Sequence, residues 1–496
     1  MKFNIPVEVL TIIQQLQKNN FEAYLVGGCV RDLLLKKEPK DWDIATQAKP
    51  EEIQRIFPES IYENAFGTVG IKTSSEQENL KIIEATTFRK EGKYTDKRHP
   101  DYVVFAETIE EDLSRRDFTI NALALKIDFQ ENLKNRFRII DPFNGQKDLR
   151  DKIIRTVGNP EERFQEDALR LMRAIRLAVE LNFKIEEKTF SAIQKMASLL
   201  QQIAPERIRD EFVKIILTPL AAEGILLLHE ANLLKQFLPE LEEGVGVGQN
   251  KHHVYSVFEH LWRSLDYAAR NNYSLEVRLA ALFHDLGKPR TKEGEGPNST
   301  FYNHEMESTK MVYNLMTRLR FDKKTIKKVI KLVRYHGFVY DPEITTDSSI
   351  RRLILKVGKE NIFELAKLRE ADRIGSGCPK AKPFRLRHFL FRVEKILKEM
   401  AGEQPSLKML KINGNEIMKI TNLQPGPKVG AILNILLEEI LDDPLKNEKK
   451  YLEKRAKELS QLSDKELEEK QKMAKEKYLD LLKEEEEQLK KKHQVV

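Results

Sequence analysis

The stretch "YLVGGCVRDLLLKKEPKDWDIAT", residues 24–46, constrains this chain more than any other part of it. A short apolar strand, "AYLV", runs into Gly27 and Gly28 and then into the helix-forming "VRDLLL". Glycines at that turn leave backbone amides bare at a helix start, a ready cradle for an anion such as a triphosphate. Asp41 and Asp43 follow. On a β-strand, residues i and i+2 share a face. The pair can therefore grip one divalent cation, or two about 3.5–4 Å apart. Metal carboxylates beside a phosphate cradle point to nucleotidyl or phosphoryl transfer.

A chain of 496 residues should hold several domains, because single cores stop growing near about 250–300 residues. Residues 1 to about 127 alternate helix and strand signals, with "FEAYLVGG", "DWDIAT", "FGTVGIKT", "LKIIEATTF" and "INALALKID" reading as strands. From Asp141 onward the spacing of apolar residues turns helical in "EDALRLMRAIRLAVEL", "LAAEGILLLHEANLLKQF", "EVRLAALFHDLG" and "FELAKLREADRI". The predicted class is α+β: a small mixed-sheet head (1–140), a helical neck (141–245), a helical domain holding a histidine cluster (246–375), a helical region (376–445) and a charged helical tail (446–496). In the tail, Leu452, Leu459, Leu462, Leu467, Tyr478, Leu481 and Leu482 form a thin apolar stripe, and a solvated helix is expected.

With 33% charged and 41% hydrophobic residues the composition fits a helix-rich globular protein. No run approaches the roughly 18 apolar residues that cross a bilayer. The N-terminal "MKFNIPVEVLTIIQQL" lacks a small-residue cleavage site, so no secretory signal is expected. The two cysteines, Cys29 and Cys378, are not spaced as metal ligands, which suits a reducing, cytoplasmic setting. The net charge of +7 is compatible with a polyanionic partner.

Further candidates lie along the head and neck. Glu84, in the strand-like "LKIIEATTFR", can add a third carboxylate. In "RRDFTINALAL", Arg115 and Arg116 can face phosphates, while Asp117 and Asn121 can reach a ribose by hydrogen bonding. In "EDALRLMRAIR", Asp167 and Arg170 stand at i and i+3 and would project from one helix face. One carboxylate acceptor beside one guanidinium donor matches the pairing edge of cytosine or adenine. Guanine and uracil present the reverse order.

Taken in sequence, strand, Gly27-Gly28, Arg31-Asp32, Asp41-x-Asp43, the Glu84 context and "RRDFTINALAL" resemble the class II nucleotidyltransferases, the family of CCA-adding tRNA enzymes and bacterial poly(A) polymerases. That resemblance covers roughly residues 20–455. It implies Mg²⁺ at Asp41 and Asp43, a triphosphate held by Gly27, Gly28, Arg31 and Arg116, base choice by Asp167 and Arg170, and CTP, ATP and tRNA as partners. Asp96, Arg98 and His99 match the Asp-x-Arg-His-Pro loop that helps relatives complete the terminal A, and residues 89–105 read as a mobile loop. "PERIRDE", with Glu206, Arg207 and Arg209, looks like a further family motif that braces the helix. "FGTVGIKT" looks like the CCA-adding version rather than the poly(A) polymerase version. An A-adding enzyme working beside a CC-adding partner stays open.

His260, His284-Asp285 and Asp372 occur in the order of the HD phosphohydrolase domain, with His304 and His336 between as ligands for a second metal. The resemblance implies a divalent transition metal there and a phosphatase or phosphodiesterase activity. A hydrolase with an inert head is the alternative from another class.

Overall fold

The computed structural model describes residues 3–495 apart from 65–66, 93–102, 130–135, 252, 378–383 and 402–406. Two compact units emerge: Met1–Arg334 with Ala371–Cys378, and Tyr335–Glu370 with Pro379–Val496. The five segments expected from sequence are thus grouped differently, since head, neck and the helices up to Arg334 form one body. Residues 371–378, which include Asp372, rejoin that body at the end of the helix Ile362–Gly375.

The first unit is built on a mixed sheet. Its strands are β1 (Ala23–Val26), β2 (Asp43–Thr46), β3 (Ser60–Asn64), β4 (Thr68–Lys72) and β5 (Ile82–Thr87); β6 (Arg89–Glu91) and β7 (Val103–Phe105) form a separate ribbon; β8 (Ala124–Asp128) and β9 (Arg136–Ile140) complete the sheet. The sheet order is β3-β4-β5-β2-β1-β8-β9. Within this sheet, among the described residues, only β2 and β5 pair in parallel; the other neighbours are antiparallel. All five expected strands are present. β3 and β9 were not expected. They are the two edges, and the alternation that marks a half-buried strand is weak there. The β6–β7 ribbon occupies the flanks of the stretch expected to be a loop. Asp96, Arg98 and His99 fall outside the described residues.

Helices cover the sheet by ordinary amphipathic logic. Val7–Lys18 buries Val9, Ile12, Ile13 and Leu16, an i, i+3, i+4, i+7 stripe, and packs on β1. Each such side chain contributes about 1.5–3 kcal/mol by leaving water. Below the head, the neck helix Leu169–Leu181 packs on Pro205–Ile216, burying Leu171, Met172, Ala174, Ile175 and Ala178. Among the described residues no helix is long and apolar enough to cross a membrane.

In the second unit the tail differs from the expectation. Lys449–Ser460 and Asp464–Lys492 are helical, but the described part of their apolar stripe is not solvated; the side chains of Tyr478, Leu481 and Leu482 lie outside the described residues. Leu452, Ala456, Leu459 and Leu467 are buried in one cluster with Ile432, Leu436 and Ile440 of the helix Pro427–Asp442. Leu452, Ala456 and Leu459 recur at i, i+4, i+7, so a narrow stripe suffices to dock a highly charged helix.

Candidate active site

The parallel pairing of β2 and β5 sets Asp43 directly opposite Glu84. Along β5 burial alternates, with Ile83 and Ala85 inside and Glu84 exposed. Asp41 lies just ahead of β2 rather than on it. The two-residue period nevertheless continues through Trp42, which is 5% exposed and fills the core side. Asp41 is left exposed and Asp43 half-buried. Burial pushes the Asp43 carboxyl above its ordinary range and the charge of Asp41 adds to this, against the pull of Arg116. A carboxyl raised by burial and by a neighbouring acid gains from a cation, and an all-oxygen set suits a hard one.

Gly27 makes the turn into the helix Gly28–Leu34 with φ 77° and ψ −131°, a region nearly closed to residues with a Cβ. A Cβ there would also stand 2.7 Å from Arg116 Nη1. Arg116 is held by Asp112, to whose Oδ2 it donates from Nη2 at 3.3 Å, while its buried Nε has no hydrogen-bond partner among the described residues. The same buried Asp112 accepts two bonds from Arg115, at 3.0 and 2.8 Å. Burial works against the Asp112 charge, but Arg115 and Arg116 outweigh it and hold the carboxyl below its usual range. Arg31 donates to Asp32 and, from Nη1, to Asn121 Oδ1, both at 2.8 Å.

Asp117 and Asn121, expected to face a ribose, are occupied by the protein. Asn121 donates to Asp117 Oδ1 at 3.2 Å, and Asp117 Oδ2 accepts two bonds from Arg173 of the neck helix, at 2.8 and 2.6 Å. Despite burial, Arg173 and Arg170 hold the Asp117 carboxyl far down. The motif therefore locks the head to the neck, and Asn121 passes that lock on to Arg31.

Asp167 and Arg170 do not share one helix. Pro160–Glu166 ends, Asp167 is extended at φ −136° and ψ 105°, and a new helix starts at Leu169. Asp167 Oδ1 accepts the Leu169 N–H at 3.0 Å, the local side-chain bond by which Asp competes with continuous helix. Its Oδ2 accepts from Arg207 Nη2 at 2.9 Å. Arg170 donates from Nη1 to Glu166 Oε2 at 2.6 Å and to the Arg163 carbonyl at 3.3 Å, and from Nη2 to the Arg115 carbonyl at 3.2 Å. Three of its five donors are thereby used.

Sequence reasoning missed Asp112 and Arg173. The spacing of Asp112 to Arg115 and Arg116, i+3 and i+4, was the available signal for the first. Nothing in the sequence pairs Asp117 with Arg173, because the two come from different layers of the fold.

A second constellation is buried. His260 Nε2 and His284 Nε2 approach to 2.9 Å. Asp285 Oδ2 and Asp372 Oδ1 each lie 3.3 Å from His260 Nε2, and 3.3 and 3.5 Å from His284 Nε2. His284 Nδ1 sits 3.0 Å from the Ala281 carbonyl, which assigns its proton to Nδ1 and turns Nε2 inward. Burial lowers the His284 pKa, but Asp285 and Asp372 outweigh it and lift the group to about 9. The acids call for a cation where the imidazoles meet, and imidazole with carboxylate suits a divalent transition metal. Gly287 lets the chain close over this site, since a Cβ would stand 2.6 Å from the Ser308 nitrogen. Lys288 Nζ contacts Asp285 Oδ2 at 2.6 Å and Gln249 Oε1 at 2.7 Å. His304 Nε2 is 3.3 Å from Asp285 Oδ1. His336 is buried and belongs to the second unit.

Comparison with known proteins points to a family. Residues 23–155 match the family model described as "Poly A polymerase head domain", 182–244 "Probable RNA and SrmB- binding site of polymerase A", and 300–456 "tRNA nucleotidyltransferase domain 2 putative". His260, His284 and Asp285 fall between the last two. The CCA-adding enzyme of Streptococcus thermophilus is 32% identical over 454 residues, covering 90% of this chain and 95% of the relative. That of Ligilactobacillus salivarius is 33% identical, covering 92% and 98%. The crystal structure of the Bacillus stearothermophilus CCA-adding enzyme in complex with CTP aligns with TM-score 0.57 and 30% identity, over 91% of this chain and 96% of that one. With identity sustained over nearly the whole length of both relatives, the chain belongs to the family of CCA-adding enzymes.

Proposed function

We propose that the protein adds C, C and A to the 3′ end of tRNA without a nucleic-acid template, using CTP and ATP. One observation carries the reading: the β2–β5 register gathers Asp43 and Glu84, with Asp41 alongside, next to the Gly27 turn and Arg116. Mg²⁺ held by Asp41 and Asp43, with Glu84 beside them, would lower the pKa of the tRNA 3′-hydroxyl and neutralise charge on the triphosphate. Gly27, Gly28, Arg31 and Arg116 hold the triphosphate so that the hydroxyl attacks the α-phosphorus in line and pyrophosphate leaves. Asp167, steadied by Arg207, accepts from the amino group of C or A. Arg170 donates to the ring nitrogen with the donors that Glu166 and the carbonyls leave over. Asp117 and Asn121 position the head against the neck and so fix the distance between phosphate and base subsites. A cytoplasmic location accords with Cys29, which is buried and makes no disulfide among the described residues.

Incubating the protein with tRNA that lacks its 3′ end tests this directly. CTP alone should give two added residues, and CTP with ATP three. No CMP incorporation would leave an A-adding enzyme instead. Asp43→Ala should abolish incorporation while tRNA binding persists; full activity in that variant would remove the metal assignment.

The buried His260, His284, Asp285 and Asp372 set supports a second reading beside the first: a divalent transition metal there would activate water toward a phosphate ester. His304, 3.3 Å from Asp285, is placed to widen that site.

A further inference from the structure

The helix Lys323–Tyr335, "KKTIKKVIKLVRY", contains basic residues at Lys323, Lys324, Lys327, Lys328, Lys331 and Arg334 and no acidic residue. Ile326, Val329, Leu332 and Val333 are its buried side. At 100° per residue, Lys323, Lys324, Lys327, Lys331 and Arg334 fall within an arc of about 100° on the opposite side. Four of the five are exposed or nearly so, with Lys331 half-buried. Lys328, on the flank, meets Glu276 at 3.6 Å. The other five make no ion pair among the described residues. Asp322 serves the helix start, accepting the Lys324 and Thr325 N–H groups at 3.0 and 2.9 Å.

Such a face works against itself. Lys323–Lys327, Lys324–Lys327, Lys327–Lys331 and Lys331–Arg334 are like charges at i,i+3 or i,i+4, an arrangement that destabilises a helix. Some exposed lysines elsewhere in the molecule have acidic neighbours, as Lys195 has Glu161 at 2.7 Å and Lys449 has Glu416 at 2.6 Å. A row of unneutralised cations extending about 15 Å from Lys324 to Arg334 matches a row of phosphates. The helix is also tied to the base-reading layer. The Arg320 carbonyl, just ahead of it, accepts from Arg209 Nη1. Arg209 lies on the helix Pro205–Ile216, which also holds Arg207 against Asp167.

We propose that this face of Lys323–Tyr335 grips the phosphate backbone of the tRNA, binding by charge and shape and not by base sequence. The proposal rests on the function given above and adds a surface to it. The test compares wild type with the triple variant K324Q/K327Q/K331Q, in which glutamine keeps helix propensity, and with the charge-preserving K324R/K327R/K331R. Binding of CCA-lacking tRNA is measured across a salt series, together with KM for tRNA and for CTP. The glutamine variant should keep the wild-type circular dichroism and KM for CTP. Its KM for tRNA should rise about ten-fold or more, and the slope of log K against log salt should shrink by about three, one for each lost phosphate contact. The arginine variant should match wild type, as should Lys195→Gln. An unchanged salt slope in the glutamine variant, with wild type adding nucleotides normally, would overturn the proposal alone. So would an unchanged tRNA affinity accompanied by loss of binding to phosphatidylserine vesicles, which would make the face a membrane contact. Wild type that adds neither CMP nor AMP would overturn the functional reading itself.

Discussion

Gly27→Ala and Gly28→Ala are adjacent, chemically identical changes for which the structure gives opposite outcomes. Gly27 has φ 77°, so alanine there meets backbone strain of about 1–3 kcal/mol. Its Cβ would lie 2.7 Å from Arg116 Nη1, the end of a flexible side chain, and the guanidinium must move. Arg116 is the cation that faces Asp43. Losing one charge-assisted contact to the triphosphate costs about 1.5–3 kcal/mol, or about ten- to hundred-fold in kcat/KM for CTP. At Gly28 the nearest atom to a new Cβ is Arg31 Nη2 at 3.6 Å, ordinary contact, and alanine favours the helix. The assays are thermal melting and steady-state incorporation of CMP. Gly27→Ala should lower both Tm and kcat/KM; Gly28→Ala should leave Tm at or above wild type. A cycle with Arg116→Gln sharpens the test: Gly27→Ala added to that variant should cost stability but little further activity, because both changes act through one guanidinium. Equal behaviour of the two glycine variants, or additive losses of activity in the cycle, would refute the reasoning.

Three further outcomes are expected. Arg207→Leu removes the partner 2.9 Å from Asp167, and discrimination of CTP and ATP against UTP should fall about ten-fold or more in single-nucleotide incorporation. Asp285→Asn should strip metal from the purified protein, measured by elemental mass spectrometry, while CMP incorporation continues; undiminished metal content would remove the ligand assignment. Leu459→Ala, at a site 1% exposed, should destabilise the second unit by about 2–5 kcal/mol in urea unfolding. An unaltered curve would mean that the tail is not docked as described.

What could be read from the sequence, and what could not, divides along a physical line. The Asp41–Asp43 pair and the strands around it are legible because a two-residue period survives even where the formal strand does not, with Trp42 anchoring the inner side. His260, His284, Asp285 and Asp372 are legible because their order resembles that of the HD phosphohydrolase domain. The break at Asp167 is not, because apolar periodicity continues through "EDALRLMRAIRL" and the interruption is made by one side-chain bond to Leu169 N–H. The use of Asp117 is hidden for a different reason. Its partner Arg173 lies 56 residues on, and only the packing of neck against head brings the two together. Docking of the tail is missed because composition, dominated by charge, outweighs the few leucines that decide the matter.

The two carboxylate centres differ in the way their proposed substrates require. In the head, Asp41 and Glu84 are exposed and Asp43 half-buried, so a hydrated magnesium ion can keep several waters and still meet a polyphosphate. A polymer end and a nucleotide must both arrive there, and a closed cage would bar them. His260, His284 and Asp285 are buried to within 1% and Asp372 to within 6%. That depth favours imidazole over water as a ligand and leaves no room for two large substrates to converge. On the proposed readings the exposed acids would serve to join a nucleotide to a chain, and the buried cage would hold a metal tightly against at most one small group. Exchanging a head carboxylate for histidine should therefore abolish nucleotide addition even where the variant still binds a divalent ion, since affinity for a cation is not what the open site is built to maximise.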